Sequence, residues 1–462
     1  MAPSGIVRAS SSERPLVPMV SGASSQPKSN SRPDAVSAVS AGNATQQPRS
    51  ALGGHLPALD GVRGLAILAV LLFHFVAPVN PKGPVDDAIT WVFSYGALGV
   101  DLFFLLSGFL ITGILYDSLA DPSYFRNFYM RRVLRIFPLY YGVLVIVFLV
   151  VPAIPALHGS EIAGLRSHQA WAWLYGVNIY LAIHNGWVLS YIEHFWSLAI
   201  EEQFYLVWPL VVWLLGGKPR LFLGVSLAVA IASFGGRIIA SLCGASDVVT
   251  IVLTPFELDT LAIGGFFAVY MRQPDGEARI RRMIVPMTCA GFSLLILQFG
   301  VRHFLEYGSA LESLRRGAFH LLLAALLLKA LCEPASSVWS RFFRSSPMVT
   351  LGKYSYGLYV YHHFLSYYFV THNTELALAA VIGSRTAALA LQAVVGMAAS
   401  MAVAWLSYEY FEKYFLRLKR FWPSSRVGML EEASALHSPI STDQLELVES
   451  GGSLVQGIER QS

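Results

Sequence analysis

Two ionisable side chains, Arg63 and His74, lie eleven residues apart in the first strongly apolar stretch of the chain. In a helix both side chains point to the same side, roughly 16 Å apart along the axis, and Asp60 lies one turn before Arg63. Ionisable groups inside a membrane-spanning helix are costly and usually face a protein interior or a wet cavity. The pair therefore indicates a functional site. The alternative is an arginine that snorkels to the interface and a histidine bonded to a neighbouring helix.

Arg132 and Arg135 form a second group at the start of another apolar stretch. Residues three apart are neighbours on one helical face. Two adjacent guanidiniums make a fork-shaped site for phosphate or pyrophosphate. Ordinary positive-inside anchoring would explain either arginine alone.

His194, Ser197 and Glu201 follow the i, i+3, i+7 spacing of a polar stripe on a helix that enters the membrane. Glu202 adds a second carboxylate, and at least one of the two should meet a cation or a proton carrier. A carboxylate beside His74 would orient the imidazole or accept its proton.

Further along the chain, Tyr356 and His362 lie in a tyrosine-rich run at 354–363. The tyrosines fit an aromatic belt at the membrane interface, whereas His362 inside the span fits a polar site. The glycines of the run 99–113 favour close helix packing.

These residues must be positioned by membrane helices, because 55% of the 462 residues are hydrophobic and only 13% are charged. Apolar stretches fall near 62–79, 97–116, 132–152, 169–184, 196–216, 220–243, 254–272, 283–302, 316–333, 348–371 and 385–411. If 169–184 does not cross, every strongly basic segment falls on one side of the membrane, together with the N-terminus. We therefore predict an all-α polytopic membrane protein with ten transmembrane helices, both termini cytoplasmic, and one re-entrant or interfacial segment.

The predicted membrane domain covers residues 56–421, between disordered cytoplasmic tails at 1–55 and 422–462. The net charge of +4 is small, and we expect no nucleic-acid partner. The three cysteines are too scattered for a metal motif, and we expect no metal and no permanently bound cofactor.

With these motifs in hand, the chain resembles the integral-membrane acyltransferase family 3, the bacterial polysaccharide and envelope O-acyltransferases. The resemblance runs from about residue 56 to 418. Seven elements carry it, in the family's order: the span with Arg63 and His74, the run 107–111, Arg132 with Arg135, the runs 194–205, 256–259 and 355–362, and Ser407-Tyr408 with Glu412.

The resemblance implies transfer of an acyl group, usually acetyl from acetyl-CoA, to a hydroxyl of a cell-envelope glycan or a lipid-linked sugar in the inner (plasma) membrane. By position, His74 would be the catalytic imidazole and Arg63 its partner. Arg132 and Arg135 would bind the acyl donor, and Glu201 with Glu202 would complete the interior polar site.

Asp60, His194, Ser197, Tyr356 and His362 would support that site. Family members often carry arginine where this chain has Glu257. Some relatives also fuse a periplasmic hydrolase-like domain after the last span, so the resemblance implies a separate periplasmic partner protein or a simple acceptor.

The sequence alone leaves two other functions open. In a proton-coupled secondary transporter, His74 and Glu201 would form a proton relay. The absence of internal repeats and the paired arginines favour the enzyme. A non-catalytic envelope scaffold would leave the buried Arg, His and Glu without a purpose.

Overall fold

The computed structural model describes residues 57–76, 83–154, 160–301 and 309–423, and across these residues all regular structure is helical. The first half comprises α1 Pro57–Val76, α2 Pro84–Ser94, α3 Leu98–Asp117, α4 Tyr124–Val145, α5 Ser160–Ser167, α6 Gln169–Trp173, α7 Val177–His184, α8 Phe195–Leu215 and α9 Pro219–Leu242. The second half comprises α10 Asp247–Val252, α11 Thr254–Met271, α12 Gly276–Val301, α13 Ser309–Cys332, α14 Val338–Phe343, α15 Ser346–Thr371, α16 Thr374–Ile382, α17 Arg385–Ser407 and α18 Lys413–Arg417.

Eight helical stretches within the described residues are long and apolar enough to cross a membrane. They are Pro57–Val76, Pro84–Asp117, Tyr124–Ala153, Phe195–Leu215, Pro219–Leu242, Asp247–Met271, Gly276–Val301 and Arg385–Phe421. Each contains one of the ten predicted spans or overlaps it extensively. The chain is therefore a multi-pass membrane protein.

The other two predicted spans are helices α13 and α15, with 24 and 26 residues. Both have the length of a span, but they do not meet the apolar criterion that the eight meet. Charged side chains account for this in α13, which carries Glu312, Arg315, Arg316 and Lys329. Polar aromatic residues and histidines account for it in α15. The count of ten spans stays a prediction, and the predicted tails at 1–55 and 422–462 lie outside the described residues, apart from residues 422 and 423.

The stretch 169–184 contains only the short helices α6 and α7, of five and eight residues. Neither is long enough to cross a bilayer. Asn178 of α7 donates a hydrogen bond to Thr254 and accepts one from Gln203 (3.1 and 3.0 Å). These bonds fix the segment to α8 and α11, in agreement with a segment that enters the bundle without crossing it.

Close helix crossings hold α1 at the centre of the bundle, against α3 and α15. A Cβ at Gly64 would lie 2.0 Å from the Met348 carbonyl oxygen, and one at Gly352 would lie 1.9 Å from that of Asp60. Only glycine allows backbones to approach this closely. In the run 99–113, Gly108 of α3 likewise meets the Leu261 carbonyl of α11, which confirms the packing role expected for that run.

Candidate active site

Helix α1 connects two cavities, with Arg63 lining one and His74 lining the other. The two residues lie on one continuous helix, so the predicted axial separation of roughly 16 Å holds. We call the first the arginine cavity; it has two lobes that share Arg63, Ser107, Arg132, Arg135 and Tyr205. We call the second the histidine cavity; it has a volume of about 480 Å³ and is lined in part by His74, His194 and His363.

The arginine cavity holds an excess of positive charge. Arg63, Arg132 and Arg135 line both lobes, and among the described residues none of the three is within 4.0 Å of a carboxylate oxygen. Lys419 lines the larger lobe, which has a volume of about 350 Å³. Guanidiniums gathered in a cavity without carboxylate partners favour an anionic ligand.

Arg132 is held in place by aromatic rings. Its guanidinium carbon lies 5.8 Å from the ring centroid of Phe128 and 6.0 Å from that of Tyr205. Its Nε atom is buried without a hydrogen-bond partner among the described residues. The side chain is thus positioned by cation–π contacts and keeps hydrogen-bonding capacity. Asp60 lines the larger lobe of the arginine cavity, as does Arg63.

Glu201 and Glu202 also line the arginine cavity, in its deeper lobe. Ser107 donates a hydrogen bond to Glu201 at 2.7 Å, and the Tyr205 hydroxyl donates to the same carboxylate at 3.1 Å. The expectation that Glu201 orients the imidazole of His74 is therefore wrong, because Glu201 and His74 line different cavities. The i, i+3, i+7 spacing puts residues on one face of α8 but does not show which neighbour each one meets.

The backbone, not a carboxylate, orients His74. Its Nδ1 atom lies 2.9 Å from the Val70 carbonyl oxygen, one turn earlier in α1. Because a carbonyl oxygen only accepts, Nδ1 carries the hydrogen and Nε2 keeps its lone pair. This is the tautomer that a general base requires.

The polar stripe of α8 is divided between the two cavities. His194 lines the histidine cavity, and Ser197 lines the arginine cavity. Between them stands Tyr359, whose hydroxyl lies 2.5 Å from Ser197 Oγ and donates to the His194 carbonyl at 3.1 Å. Val100 and Tyr359 line both cavities, and we call these two residues the wall.

Tyr356 and His362 of α15 lie on opposite sides of this division. Tyr356 lines the arginine cavity and donates to the Ile136 carbonyl at 2.9 Å. His362 is fully buried, and its ring centroid lies 4.8 Å from that of His74. His363, which we did not predict as a site residue, also contacts His74, at 5.3 Å between ring centroids.

A buried ion network borders the histidine cavity. The sequence alone did not predict it. Arg316 binds Glu257 through two contacts of 2.8 and 3.1 Å and Asp101 through one of 2.8 Å. His320 bridges Asp101 and Asp259, at 3.0 Å each. The sequence feature that could have indicated this network is the four-residue spacing of Arg316 and His320 on α13, which places both on one face.

Arg237 completes this network from α9. It donates to Asp259 at 2.7 Å and lies 3.8 Å from Glu257. Glu257 is thus enclosed by two guanidiniums. The network ties α3, α9, α11 and α13 together beside the cavity.

The remaining lining of the histidine cavity combines aromatic and charged side chains. The aromatic members are Phe73, Tyr95, Trp187, Trp196, Phe319 and Tyr359, and the charged members include Glu193, Glu312, Arg315 and Arg316. Aromatic faces with polar groups around them can hold a ligand that is apolar on one side and rich in hydroxyls at its edge.

Comparison with known proteins connects this geometry to a family. The model of the family-3 acyltransferase domain matches residues 56–409. The chain is 28% identical over 339 residues to the O-acetyltransferase OatA of Staphylococcus aureus NCTC 8325, covering 68% of this chain and 52% of that protein. It is 27% identical over 382 residues to the peptidoglycan O-acetyltransferase OatA of Listeria monocytogenes, covering 78% and 55%.

The chain spans about half the length of the curated relatives it matches. No solved structure matches it significantly. The match to the family covers the described helices from α1 through α17, with the wall and all lining residues of both cavities except Lys419. The chain therefore belongs to acyltransferase family 3.

Proposed function

We propose that this protein is a membrane O-acetyltransferase that moves an acetyl group from acetyl-CoA to a hydroxyl of a cell-envelope glycan. The observation that carries the proposal is the single helix α1, which presents Arg63 to one cavity and His74 to the other. An anion-binding cavity and a base-bearing cavity, separated by the wall, suit a donor and an acceptor that arrive from different sides. The names of the relatives support O-acetylation.

The donor would bind in the arginine cavity, on the cytoplasmic side of the inner membrane. Arg63, Arg132 and Arg135 offer guanidiniums to the phosphates of CoA. The pantetheine arm would extend past the wall toward His74, along the roughly 16 Å of α1 that separates Arg63 from the imidazole. Glu201 and Glu202 place two carboxyl groups in the deeper lobe, beyond the phosphates.

The acceptor would enter the histidine cavity from the outer side. Aromatic side chains such as Trp187 and Trp196 would stack on the apolar faces of sugar rings, and Glu193 and Glu312 would accept bonds from sugar hydroxyls. The cavity size suits one or two sugar units of a peptidoglycan-like chain or a lipid-linked sugar. A separate periplasmic partner protein that presents the acceptor is part of this proposal.

In the transfer step, Nε2 of His74 takes the proton of the acceptor hydroxyl while the alkoxide oxygen attacks the thioester carbon. The new carbon–oxygen bond forms as the carbon–sulfur bond breaks, and the imidazolium returns its proton to the CoA thiolate. In the alternative route, Nε2 attacks the thioester carbon, the carbon–sulfur bond breaks and the CoA thiolate leaves. The acceptor oxygen then attacks the acetyl carbon as the nitrogen–carbon bond breaks, and the hydroxyl proton passes to the CoA thiolate. Both routes require the Nδ1–H bond to the Val70 carbonyl.

Comparative mass spectrometry of envelope glycans tests the proposal, in cells with the wild type, no protein, and His74→Ala. We expect one acetyl group per modified sugar in the wild type alone, because the imidazole of His74 supplies the base or the acyl carrier in the proposed step. His372→Ala, an exposed histidine just past the end of the helix that carries His362, serves as the matched control and should retain acetylation. Equal acetylation in His74→Ala and the wild type, at equal protein levels in the membrane, would refute the role of His74.

The competing transporter function has less support from the geometry. A direct proton relay needs His74 and Glu201 in contact, and these residues line different cavities. No difference in any envelope fraction between cells with and without the protein, together with pH-dependent uptake that ignores acetyl-CoA, would favour the transporter.

A further inference from the structure

Three imidazoles meet where α1 faces α15. His74, His362 and His363 each place one ring nitrogen in a group whose members all lie within 4.8 Å of one another. The ring centroid of His74 is 4.8 Å from that of His362 and 5.3 Å from that of His363.

In each ring the other nitrogen is bonded to a backbone carbonyl oxygen. Nδ1 of His362 lies 2.8 Å from the Tyr359 carbonyl and 3.1 Å from that of Leu358. Nε2 of His363 lies 3.3 Å from the Ser190 carbonyl, and Nδ1 of His74 lies 2.9 Å from that of Val70. Since a carbonyl cannot donate, each of these nitrogens carries the hydrogen, and the opposite nitrogen of each ring is a lone-pair donor.

The lone-pair nitrogens of His362 and His363 are buried and have no hydrogen-bond partner among the described residues. Buried polar atoms in native proteins are nearly always satisfied, by protein, water or an ion. A histidine whose far nitrogen donates to a carbonyl while its near nitrogen points into a cluster has the usual outer-shell arrangement of a metal ligand.

We propose that His74, His362 and His363 bind a divalent transition-metal ion of the zinc class. Imidazole nitrogens suit Zn²⁺ and Co²⁺, whereas Mg²⁺ and Ca²⁺ prefer oxygen ligands. In a tetrahedral site the ligand nitrogens are about 3.4 Å apart, for Zn–N bonds of about 2.05 Å. Small ring rotations would close the present spacing to that value.

A nearby carboxylate and the adjoining cavity complete the site. Glu193 Oε1 lies 3.6 Å from Nε2 of His363, which places a negative charge behind one ligand. His74 and His363 line the histidine cavity, so the fourth coordination position would open toward it. Three nitrogen ligands with an open position are typical of zinc sites that exchange a water or a substrate oxygen.

Metal binding would occupy the Nε2 lone pair that His74 uses as a base. We therefore expect Zn²⁺ to inhibit acetyl transfer, and this consequence rests on the proposed function. Binding of the ion to the three histidines does not depend on that function. The ion would thereby regulate the same imidazole that performs the transfer.

Titration of the purified full-length protein in detergent with Co²⁺ tests the site, after metal ions have been removed with a chelator. We expect one Co²⁺ per chain, with the visible absorption bands of a four-coordinate site that has three nitrogen ligands, and we expect Zn²⁺ to displace the Co²⁺. His362→Ala and His363→Ala should each weaken binding at least tenfold, and Glu193→Gln about tenfold. His372→Ala, at an exposed position just past the end of α15, should bind Co²⁺ like the wild type.

Size-exclusion profiles and thermal melting of each variant check folding, and His363→Gln provides a second variant that preserves side-chain bulk. Unchanged Co²⁺ affinity in folded His362→Ala and His363→Ala would overturn the site, as would absence of the bands in the wild type. Zn²⁺ should inhibit acetyl transfer by the wild type. In His363→Ala, Zn²⁺ should remove a smaller fraction of the transfer rate that this variant shows without Zn²⁺. Transfer without Co²⁺ binding would refute the metal site alone, whereas Co²⁺ binding without any acetyl transfer would refute the proposed function alone.

Discussion

Arg132 is the residue that most directly tests donor binding, because aromatic rings position it and no carboxylate within 4.0 Å among the described residues neutralises it. A charged hydrogen bond to a phosphate contributes about 1.5–3 kcal/mol. We expect Arg132→Ala to raise the KM for acetyl-CoA about tenfold or more, with a smaller effect on kcat. Steady-state kinetics with purified protein measures this.

Acetyl-pantetheine, which lacks the nucleotide phosphates, provides the internal comparison for that variant. Its KM should change little in Arg132→Ala, because this donor offers no phosphate for the guanidinium to bind. Arg281→Ala, a variant of a half-exposed arginine paired with Glu277, should leave both KM values unchanged. An equal rise in KM for both donors would show that Arg132 supports the fold rather than the phosphates.

Glu257 tests how much the buried ion network contributes to stability. Its carboxylate lies 2.8 Å from Arg316 and 3.8 Å from Arg237. An arginine at this position would bring three guanidiniums together in the buried network. Breaking a buried ion pair typically costs about 3–5 kcal/mol.

We therefore expect Glu257→Arg to lower the thermal midpoint of the protein in detergent strongly, and Glu257→Gln to lower it less. The amide retains hydrogen-bonding atoms and adds no positive charge. Glu277→Arg, at a half-exposed position, is the matched control and should melt close to the wild type. If Glu257→Arg melts like the wild type, the network contributes little to stability.

At the level of helices, the crossing of α1 and α15 positions the site, since these two helices carry His74, His362 and His363. A Cβ at Gly64 would clash with the Met348 carbonyl at 2.0 Å. Overpacking of this kind costs about 1–3 kcal/mol. Gly64→Ala should lower both the thermal midpoint and the transfer rate, as measured by melting and by acetyl release.

Gly235→Ala in α9 is the matched control, because a Cβ there meets nothing within 4 Å. It should melt at or slightly above the wild-type temperature, since alanine favours helix. If both variants melt alike, the close approach of α1 and α15 does not limit stability.

The sequence predicted the apolar helices well, because hydropathy is a local property, and it placed Arg63 and His74 on one helix as the structure does. It also predicted that 169–184 would not form a full span, from its short length and polar residues. It did not predict the partner of Glu201, because a helical stripe is compatible with any neighbouring helix. The hydrogen-bond partners of Glu201 are Tyr205, one turn further along α8, and Ser107 of α3.

The ion network was missed for a related reason. Arg316 and Glu257 are 59 residues apart and occupy different helices, so neither stretch alone shows that the charges pair. Arg316 also stands at the start of an apolar stretch, where positive residues commonly anchor a span. Only the packing of α11 against α9 and α3 shows that these charges are internal.

At the scale of the whole molecule, the proposed function requires the two cavities to open to opposite sides of the membrane. Trp187 lines the histidine cavity, and the exposed Arg420 is adjacent to Lys419 of the arginine cavity. On a background in which the three native cysteines are serine, a membrane-impermeant maleimide should label Trp187→Cys in intact cells. It should label Arg420→Cys only in inverted vesicles or permeabilised cells.

Membrane-permeant maleimide, which should label both positions, controls for accessibility of the thiols. Labelling of Arg420→Cys in intact cells would place the arginine cavity on the outer side, where acetyl-CoA is not available. Labelling of both positions from one side would contradict the two-sided arrangement altogether.

The wall formed by Val100 and Tyr359 has a consequence for the energetics of the cell. A protein that accepts a hydrophilic donor on one side and a hydrophilic acceptor on the other risks opening a conducting path through the bilayer. The hydroxyl of Tyr359 is fixed by Ser197 and the His194 carbonyl, and its ring packs 6.2 Å from that of Phe103. Under the proposed function, we expect the wall to separate the two aqueous compartments between turnovers, so that the proton-motive force is not dissipated through the protein.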